Sequence, residues 1–252
     1  IDFAKTYSEK SQGAWDITTG VITDLWGIGT DNQRIPSDEE IAAAESLVNY
    51  KDILLRPEDH SVKLAKAGMS IDLGGIAKGY AVDEVRAIFA KHHIENGLIN
   101  LGASSMYALG SNAKGKPWRI GIKHPRNDDK DTYLGIVAVS NENISTSGDY
   151  ERFFEENGVR YHHIFDPKTG RPARSGVMSD SVLVDSSIEH GGMLGDMLTT
   201  ILFVLGPERG MEFAHSVNGV EAMITTTDGK IYMTDGFKSH FSDLNSDFKL
   251  VP

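Results

Sequence analysis

The tightest constraint on this chain is the run Asp72-Leu-Gly-Gly-Ile-Ala-Lys-Gly-Tyr80. A short apolar segment ends in Asp72, passes through Gly74 and Gly75, and opens a helix with Lys78 in its first turn. Paired glycines let the backbone approach a ligand closely, since no Cβ intervenes. A helix start adds unpaired N–H groups and the positive end of a dipole, both favourable to anions. Lys78 adds a full charge, so the segment reads as a phosphate site. It also reads as a tight strand-to-helix turn with a solvated lysine, because the spacing completes neither a Walker nor a Rossmann pattern.

A second constellation lies on a helix expected over about Gly192 to Leu205. Most of Met193–Leu205 is apolar, yet Asp196 and Thr200 stand four apart and share one helical face. A carboxylate on such a helix is costly unless it meets a cation or donors. With a hydroxyl it supplies hard oxygen ligands, which suit Mg²⁺. The alternative is that Thr200 bonds back to the Asp196 carbonyl while Asp196 faces solvent.

The third cluster is His162-His163-Ile164-Phe165-Asp166-Pro167-Lys168-Thr169-Gly170, a strand end followed by turn residues. His163 can carry a proton near neutral pH. Equally, one histidine of the pair can pack inside with its hydrogen bonds satisfied. Asp166, before a proline, reads as a turn-former.

The remaining sequence bounds the class. A length of 252 residues suits one large domain or two joined lobes, and 40% hydrophobic residues support a full core. A net charge of −11 argues against a nucleic-acid groove. Cysteine is absent, which excludes disulfides and thiolate-metal sites, and no apolar run reaches membrane-spanning length. Ser37 and Glu40 form a capping box that starts a helix expected to run to about Tyr50. A second helix is expected from Gly75 to His93, with Ile76, Tyr80, Val85, Ile88 and Phe89 broadly on one side. Strands are expected at Leu98–Leu101, Met106–Leu109, Trp118–Lys123 and Leu134–Val139. Asn157-Gly158 and Asp228-Gly229 mark hairpins. The stretches Asn112–Pro117 and Pro125–Thr132 are polar and loop-like. Strands outnumber helices, but long helices pack on them, so the fold class is α+β with mixed sheets flanked by helices.

The clusters occur in a recognisable order. The chain resembles the FAD:protein FMN transferase family, the ApbE family of flavin-trafficking lipoproteins. The resemblance rests on Gly13-Ala-Trp-Asp-Ile-Thr, Leu25-Trp-Gly-Ile-Gly and Asp72-Leu-Gly-Gly-Ile-Ala-Lys-Gly-Tyr-Ala-Val-Asp83. It continues through Leu98-Ile-Asn-Leu-Gly102, Ser145-Thr-Ser-Gly-Asp-Tyr150, His163-Ile-Phe-Asp-Pro-Lys-Thr-Gly170, Asp196-Met-Leu-Thr-Thr200 and Leu205-Gly206. It therefore spans about Ser8 to Phe237.

The resemblance implies a two-lobed fold with FAD in a central cleft, and a single family domain over residues 1–252. It implies Mg²⁺-dependent transfer of the FMN half of FAD to a Thr or Ser hydroxyl of an acceptor flavoprotein, through a phosphoester bond, with AMP released. By motif position the metal is held by the backbone carbonyl of Gly75 and the side chains of Asp196 and Thr200. Asp72, Lys78 and the backbone near Phe165 match FAD-contacting positions, and His163 matches the histidine needed for transfer. Two alternatives stay open: a Mg²⁺-dependent FAD pyrophosphatase giving FMN and AMP, and a flavin-binding carrier without turnover. The family carries an upstream flavin-binding segment, here expected before Ile1, and an N-terminal lipid anchor, which implies a periplasmic or extracytoplasmic location. Ser186–Gly195 departs from the Ala- and Pro-rich loop of the family, and His190 there either reaches the site or stays on the surface.

Overall fold

The structure, a computed structural model, describes residues 1–127, 129 and 132–251. Asp128, Lys130 and Asp131, in the loop expected over Pro125–Thr132, lie outside the described residues. Helices α1 (Asp2–Lys10), α2 (Gly20–Trp26) and α3 (Asp38–Glu45) precede a hairpin of β1 (Ile53–Arg56) and β2 (Ser61–Leu64). Then come α4 (Ala77–Lys91), β3 (Gly97–Leu101), β4 (Ser105–Leu109), β5 (Trp118–Lys123), β6 (Tyr133–Val139) and β7 (Glu142–Gly148). Two short hairpins follow: β8 (Phe153–Glu156) with β9 (Val159–His162), and β10 (Phe165–Asp166) with β11 (Arg171–Pro172). The chain continues through β12 (Val177–Asp185), α5 (Gly191–Leu205), α6 (Pro207–His215), β13 (Val220–Thr226) and β14 (Lys230–Met233). It closes with α7 (Asp235–His240), β15 (Phe241–Ser242) and β16 (Lys249–Leu250). The class is α+β, and the chain divides into two compact units, Ile1–Gly74 with Glu151–Arg174 and Gly75–Tyr150 with Ser175–Pro252.

The first unit is built around indole and aromatic packing. Trp26 donates its Nε1–H to the Gly170 carbonyl at 2.9 Å and stacks on Tyr161 at 5.7 Å between centroids. Ile22, Ile28, Ile41 and Phe165 complete that core. The capping box of α3 forms as expected: Ser37 accepts from the Glu40 amide, and Glu40 accepts from the Ser37 amide. The helix stops at Glu45 rather than near Tyr50. The cause is tertiary, because the amides of Asn49 and Tyr50 donate to Thr18 Oγ1 and Asp16 Oδ2, each at 2.8 Å, and leave the helical ladder. The Asn157-Gly158 turn takes φ of 51° and 74°, the left-handed pair that a two-residue hairpin demands.

In the second unit a seven-stranded sheet runs β16-β14-β13-β12-β7-β4-β3, antiparallel except for the β14–β16 pair. The β15-β6-β5 sheet contributes Ile120, Ile122, Leu134, Val137 and Val139 to a core shared with Ile144, Leu183, Met223, Ile231 and Phe237. Helix α5 packs on the large sheet: a Cβ at Gly195 would stand 3.1 Å from Ser145 Oγ on β7. Strand β12, absent from the expected strands, is buried from Val177 through Val184. Burial on both faces removes the polar alternation that announces a half-exposed strand.

Helix α4 turns a different face inward from the one its apolar spacing indicated. Tyr80 and Ile88 are 51% and 53% exposed, whereas Gly79 and Val82 are buried. Val85 and Phe89 pack against Ile99 and Tyr107 of β3 and β4 as expected. The close contact of Gly79 with α5 decides this rotation, as described next.

Candidate functional site

Asp196 sits one turn into α5, only 4% exposed, on a helix otherwise lined by Leu194, Met197, Leu198, Ile201 and Leu202. Its Oδ2 accepts the Gly79 amide at 3.0 Å, and Lys78 Nζ stands 3.5 Å from its Oδ1. Gly79 is the third residue of α4, so its amide is among those a helix cannot pair internally. The carboxylate therefore meets both a helix's positive end and an ammonium group. Burial raises the Asp196 carboxyl above its ordinary range, with Lys78 and the Gly79 amide pulling the other way.

This approach is possible because two glycines cross. A Cβ on Gly79 would lie 2.1 Å from the Gly192 carbonyl oxygen and 2.8 Å from Asp196 Cβ. Reciprocally, a Cβ on Gly192 would lie 2.6 Å from the Gly79 carbonyl oxygen. No other residue type tolerates backbone contact at this distance.

Thr200 follows one turn later, half-buried, its hydroxyl without a hydrogen-bond partner among the described residues. The back-bond to the Asp196 carbonyl belongs instead to Thr199, whose Oγ1 lies 2.7 Å from it and accepts from Ser147 Oγ at 2.8 Å. Thus Asp196 does not face solvent, and Thr200 remains available. Gly75 lies in the turn just before Ile76, the N-cap of α4. No group of three or more His, Asp or Glu side chains able to hold a metal occurs among the described residues. The expected set of a carboxylate, a hydroxyl and a carbonyl is an all-oxygen donor set of another kind, and it fits a hard cation. The buried carboxylate, with its costly charge, is the observation in favour of that fit.

The first unit holds the other expected residues. Both Asp72 oxygens are engaged: Oδ2 accepts from Thr23 Oγ1 at 2.9 Å and Oδ1 from the Gly74 amide at 2.7 Å. Its carboxylate thus shapes the glycine turn and ties it to α2. Phe165 is 8% exposed and packs on Trp26, so its side chain is core and its backbone is the part that β10 presents.

The two adjacent histidines have different fates. His162 is buried, its Nε2 at 3.0 Å from the Ala173 carbonyl and its Nδ1 accepting from the Ile164 amide. His163 is half-exposed, with Nδ1 3.1 Å from the Arg152 carbonyl. A carbonyl only accepts, so Nδ1 carries the proton and Nε2 the basic lone pair. Orientation by a carbonyl is the arrangement a general base requires.

Asp83 had no role assigned from the sequence. It accepts the amides of Gly192 and Met193 at 2.8 and 2.9 Å, through one carboxylate oxygen each. Helix α5 has no cap of its own: His190 holds the N-cap position at φ 56°, half its side chain exposed, with no side-chain cap bond. The available signal was a repeated spacing, Gly79-x-x-x-Asp83 and Gly192-x-x-x-Asp196.

Comparison with known proteins supplies the family. The ApbE family model matches residues 1–224. A FAD:protein FMN transferase of Treponema pallidum (strain Nichols) is 34% identical over 263 residues, covering 99% of this chain and 71% of the relative. One from Klebsiella pneumoniae (strain 342) is 33% identical over 251 residues, covering 100% and 75%. Among solved structures, the ApbE protein of Thermotoga maritima superposes with a TM-score of 0.85 at 35% identity, over 96% of this chain and 76% of that one. The flavin transferase ApbE of Vibrio cholerae gives 0.80 at 33% identity, over 95% and 74%. Sequence agreement over most of this chain and a matching fold lead to one statement: this chain belongs to the ApbE family.

Proposed function

We propose that this protein transfers the FMN moiety of FAD to a Thr or Ser hydroxyl of an acceptor protein, in a Mg²⁺-dependent reaction. The observation that carries the reading is the buried Asp196 carboxylate held between the Gly79 amide and Lys78, with Thr200 one turn on. A buried acid at a helix start, beside an ammonium group, supports a site where a cation and phosphates would be held together. Asp196, Thr200 and the Gly75 carbonyl are the proposed Mg²⁺ ligands. The ion, when bound, neutralises charge that builds on the pyrophosphate as it breaks. Lys78 adds a second positive charge against the same phosphates.

In the first unit, His163 is the proposed base. Its Nε2 takes the proton of the acceptor hydroxyl; the hydroxyl oxygen bonds to the FMN phosphorus as the bond from that phosphorus to the bridging oxygen breaks. AMP departs with that electron pair. The proposed FAD contacts also include Asp72 and the backbone at Phe165. An extracytoplasmic, lipid-anchored location belongs to the same proposal, and fractionation of cells making the full-length protein tests it.

The test of function is direct. The protein is incubated with FAD, Mg²⁺ and a candidate acceptor domain, and the intact acceptor is weighed. A gain of one FMN less one water supports transfer. Free FMN and AMP with an unmodified acceptor mean hydrolysis, and unchanged FAD with every acceptor tried overturns both.

A further inference from the structure

Helices α4 and α5 cap each other by the same device used twice. Each carries a glycine and, four residues on, an aspartate: Gly79 with Asp83, and Gly192 with Asp196. Asp196 on α5 accepts the Gly79 amide of α4, and Asp83 on α4 accepts the Gly192 and Met193 amides of α5. The glycines touch backbone to backbone at the centre of this exchange. One helical turn separates donor from acceptor on each helix, so the four residues close a ring. The two halves differ in one respect. Asp83 takes the two amides that open α5, whereas Asp196 accepts the Gly79 amide and also faces an ammonium, with Lys78 Nζ 3.5 Å from its Oδ1.

We infer that Asp83 is a positioning residue for Asp196. By clamping the first turn of α5 it sets that helix's axial position on α4, and with it the point where the Asp196 carboxylate arrives. Nothing local could do this: the α5 start offers His190, Gly191 and Gly192, none of which makes a side-chain cap. Without Asp83 two amides in the first turn of α5 lose their acceptors, and the helix has reason to slide or fray. The Asp196–Gly79 bond, on the opposite side of the ring, then loosens too. The inference rests on the proposed Mg²⁺ role of Asp196, but half of its test does not.

Two variants, Asp83→Asn and Asp83→Ala, are compared with the full chain. The first readout is hydrogen exchange at the Gly79 amide, a group Asp83 does not touch. It is expected to lose protection by about tenfold in both variants, with other α4 amides beyond its first turns unchanged. The second is the Mg²⁺ concentration that half-saturates FAD turnover, expected to rise about tenfold, as for groups that orient a metal ligand. The turnover rate at saturating Mg²⁺ is expected to fall less. A folded variant with wild-type Gly79 exchange and wild-type Mg²⁺ half-saturation overturns the inference. So does a loss of activity that merely follows the folded fraction, or failure of both variants to fold, since either makes Asp83 a residue of general stability. Absence of Mg²⁺-dependent FAD turnover in the unmodified protein overturns the functional reading instead, and Gly79 exchange still decides the role of Asp83.

Discussion

Gly79 and Gly192 meet so closely that a Cβ on the first would stand 2.1 Å from the carbonyl oxygen of the second. The obstacle is backbone, not the end of a flexible side chain, so a substitution there has to separate two helices. Gly79→Ala is therefore expected to destabilise the protein by about 3 kcal/mol, the upper part of the range for overpacking. Because the Asp196 bond crosses the same contact, the variant should also lose Mg²⁺ response in proportion greater than its loss of fold. Urea unfolding alongside a Mg²⁺ titration measures both, and an alanine tolerated at under ~0.5 kcal/mol contradicts the contact.

Asp196→Asn separates charge from shape. The amide oxygen still accepts from Gly79, so the fold should survive, while the anionic ligand is lost. Divalent-dependent turnover of FAD is expected to fall by about 10³-fold or more, and chelation of the wild type by EDTA should mimic it. Asp196→Ala should lose as much activity and some stability as well, about 1–3 kcal/mol for the orphaned Gly79 amide. Normal turnover with an unaltered Mg²⁺ requirement in either variant removes Asp196 from the metal site.

Asp180, at the centre of β12, supplies a pH prediction. It is 0% exposed, and neither carboxylate oxygen has a hydrogen-bond partner among the described residues. Burial pushes its carboxyl well above the ordinary range. In the folded state the proton is retained at pH values where the unfolded chain has released it. The native state is thus favoured below the unfolded value of about 4, and that advantage drains away as pH climbs toward the raised folded value. Asp180→Asn should remove this dependence. The stability difference between wild type and variant is expected to change by up to ~1.4 kcal/mol per pH unit from pH 4.5 upward. Urea titrations at several pH values read it; a difference that stays constant with pH shows that Asp180 ionises freely in the fold.

His163→Ala tests the base. The Arg152 carbonyl orients the ring, so its removal should spare the core, whose histidine is His162. Transfer to an acceptor hydroxyl is expected to slow by about 10²–10⁴-fold with FAD binding retained. Equilibrium binding of FAD together with acceptor mass gain separates the two effects. Full-speed transfer in the alanine variant excludes the histidine from the reaction.

How much of this was legible before folding depends on the range of the interaction. The Ser37–Glu40 capping box, the Asn157-Gly158 turn and the length of α5 are decided within a few residues of themselves, and each appears where its motif stands. Strand β5 coincides with its expected span, Trp118–Lys123, because its alternation of buried and open positions is visible in one dimension. The Asp196–Thr200 spacing on an apolar helix likewise pointed to a carboxylate needing a partner.

Other features needed the third dimension. The end of α3 is decided by Asp16 and Thr18, some thirty residues upstream, whose oxygens take the amides the helix would have used. The inward face of α4 is chosen by Gly79, the one residue whose missing side chain lets α5 come close; apolar spacing instead favoured Tyr80 and Ile88. The long buried β12 has no surface face to mark it in the sequence. Residue spacing alone could therefore announce an acid on α5 and a glycine on α4. Only packing could bring the two helices close enough for each aspartate to cap the other's free amides, because a hydrogen bond between turns a hundred residues apart leaves no periodic trace along the chain.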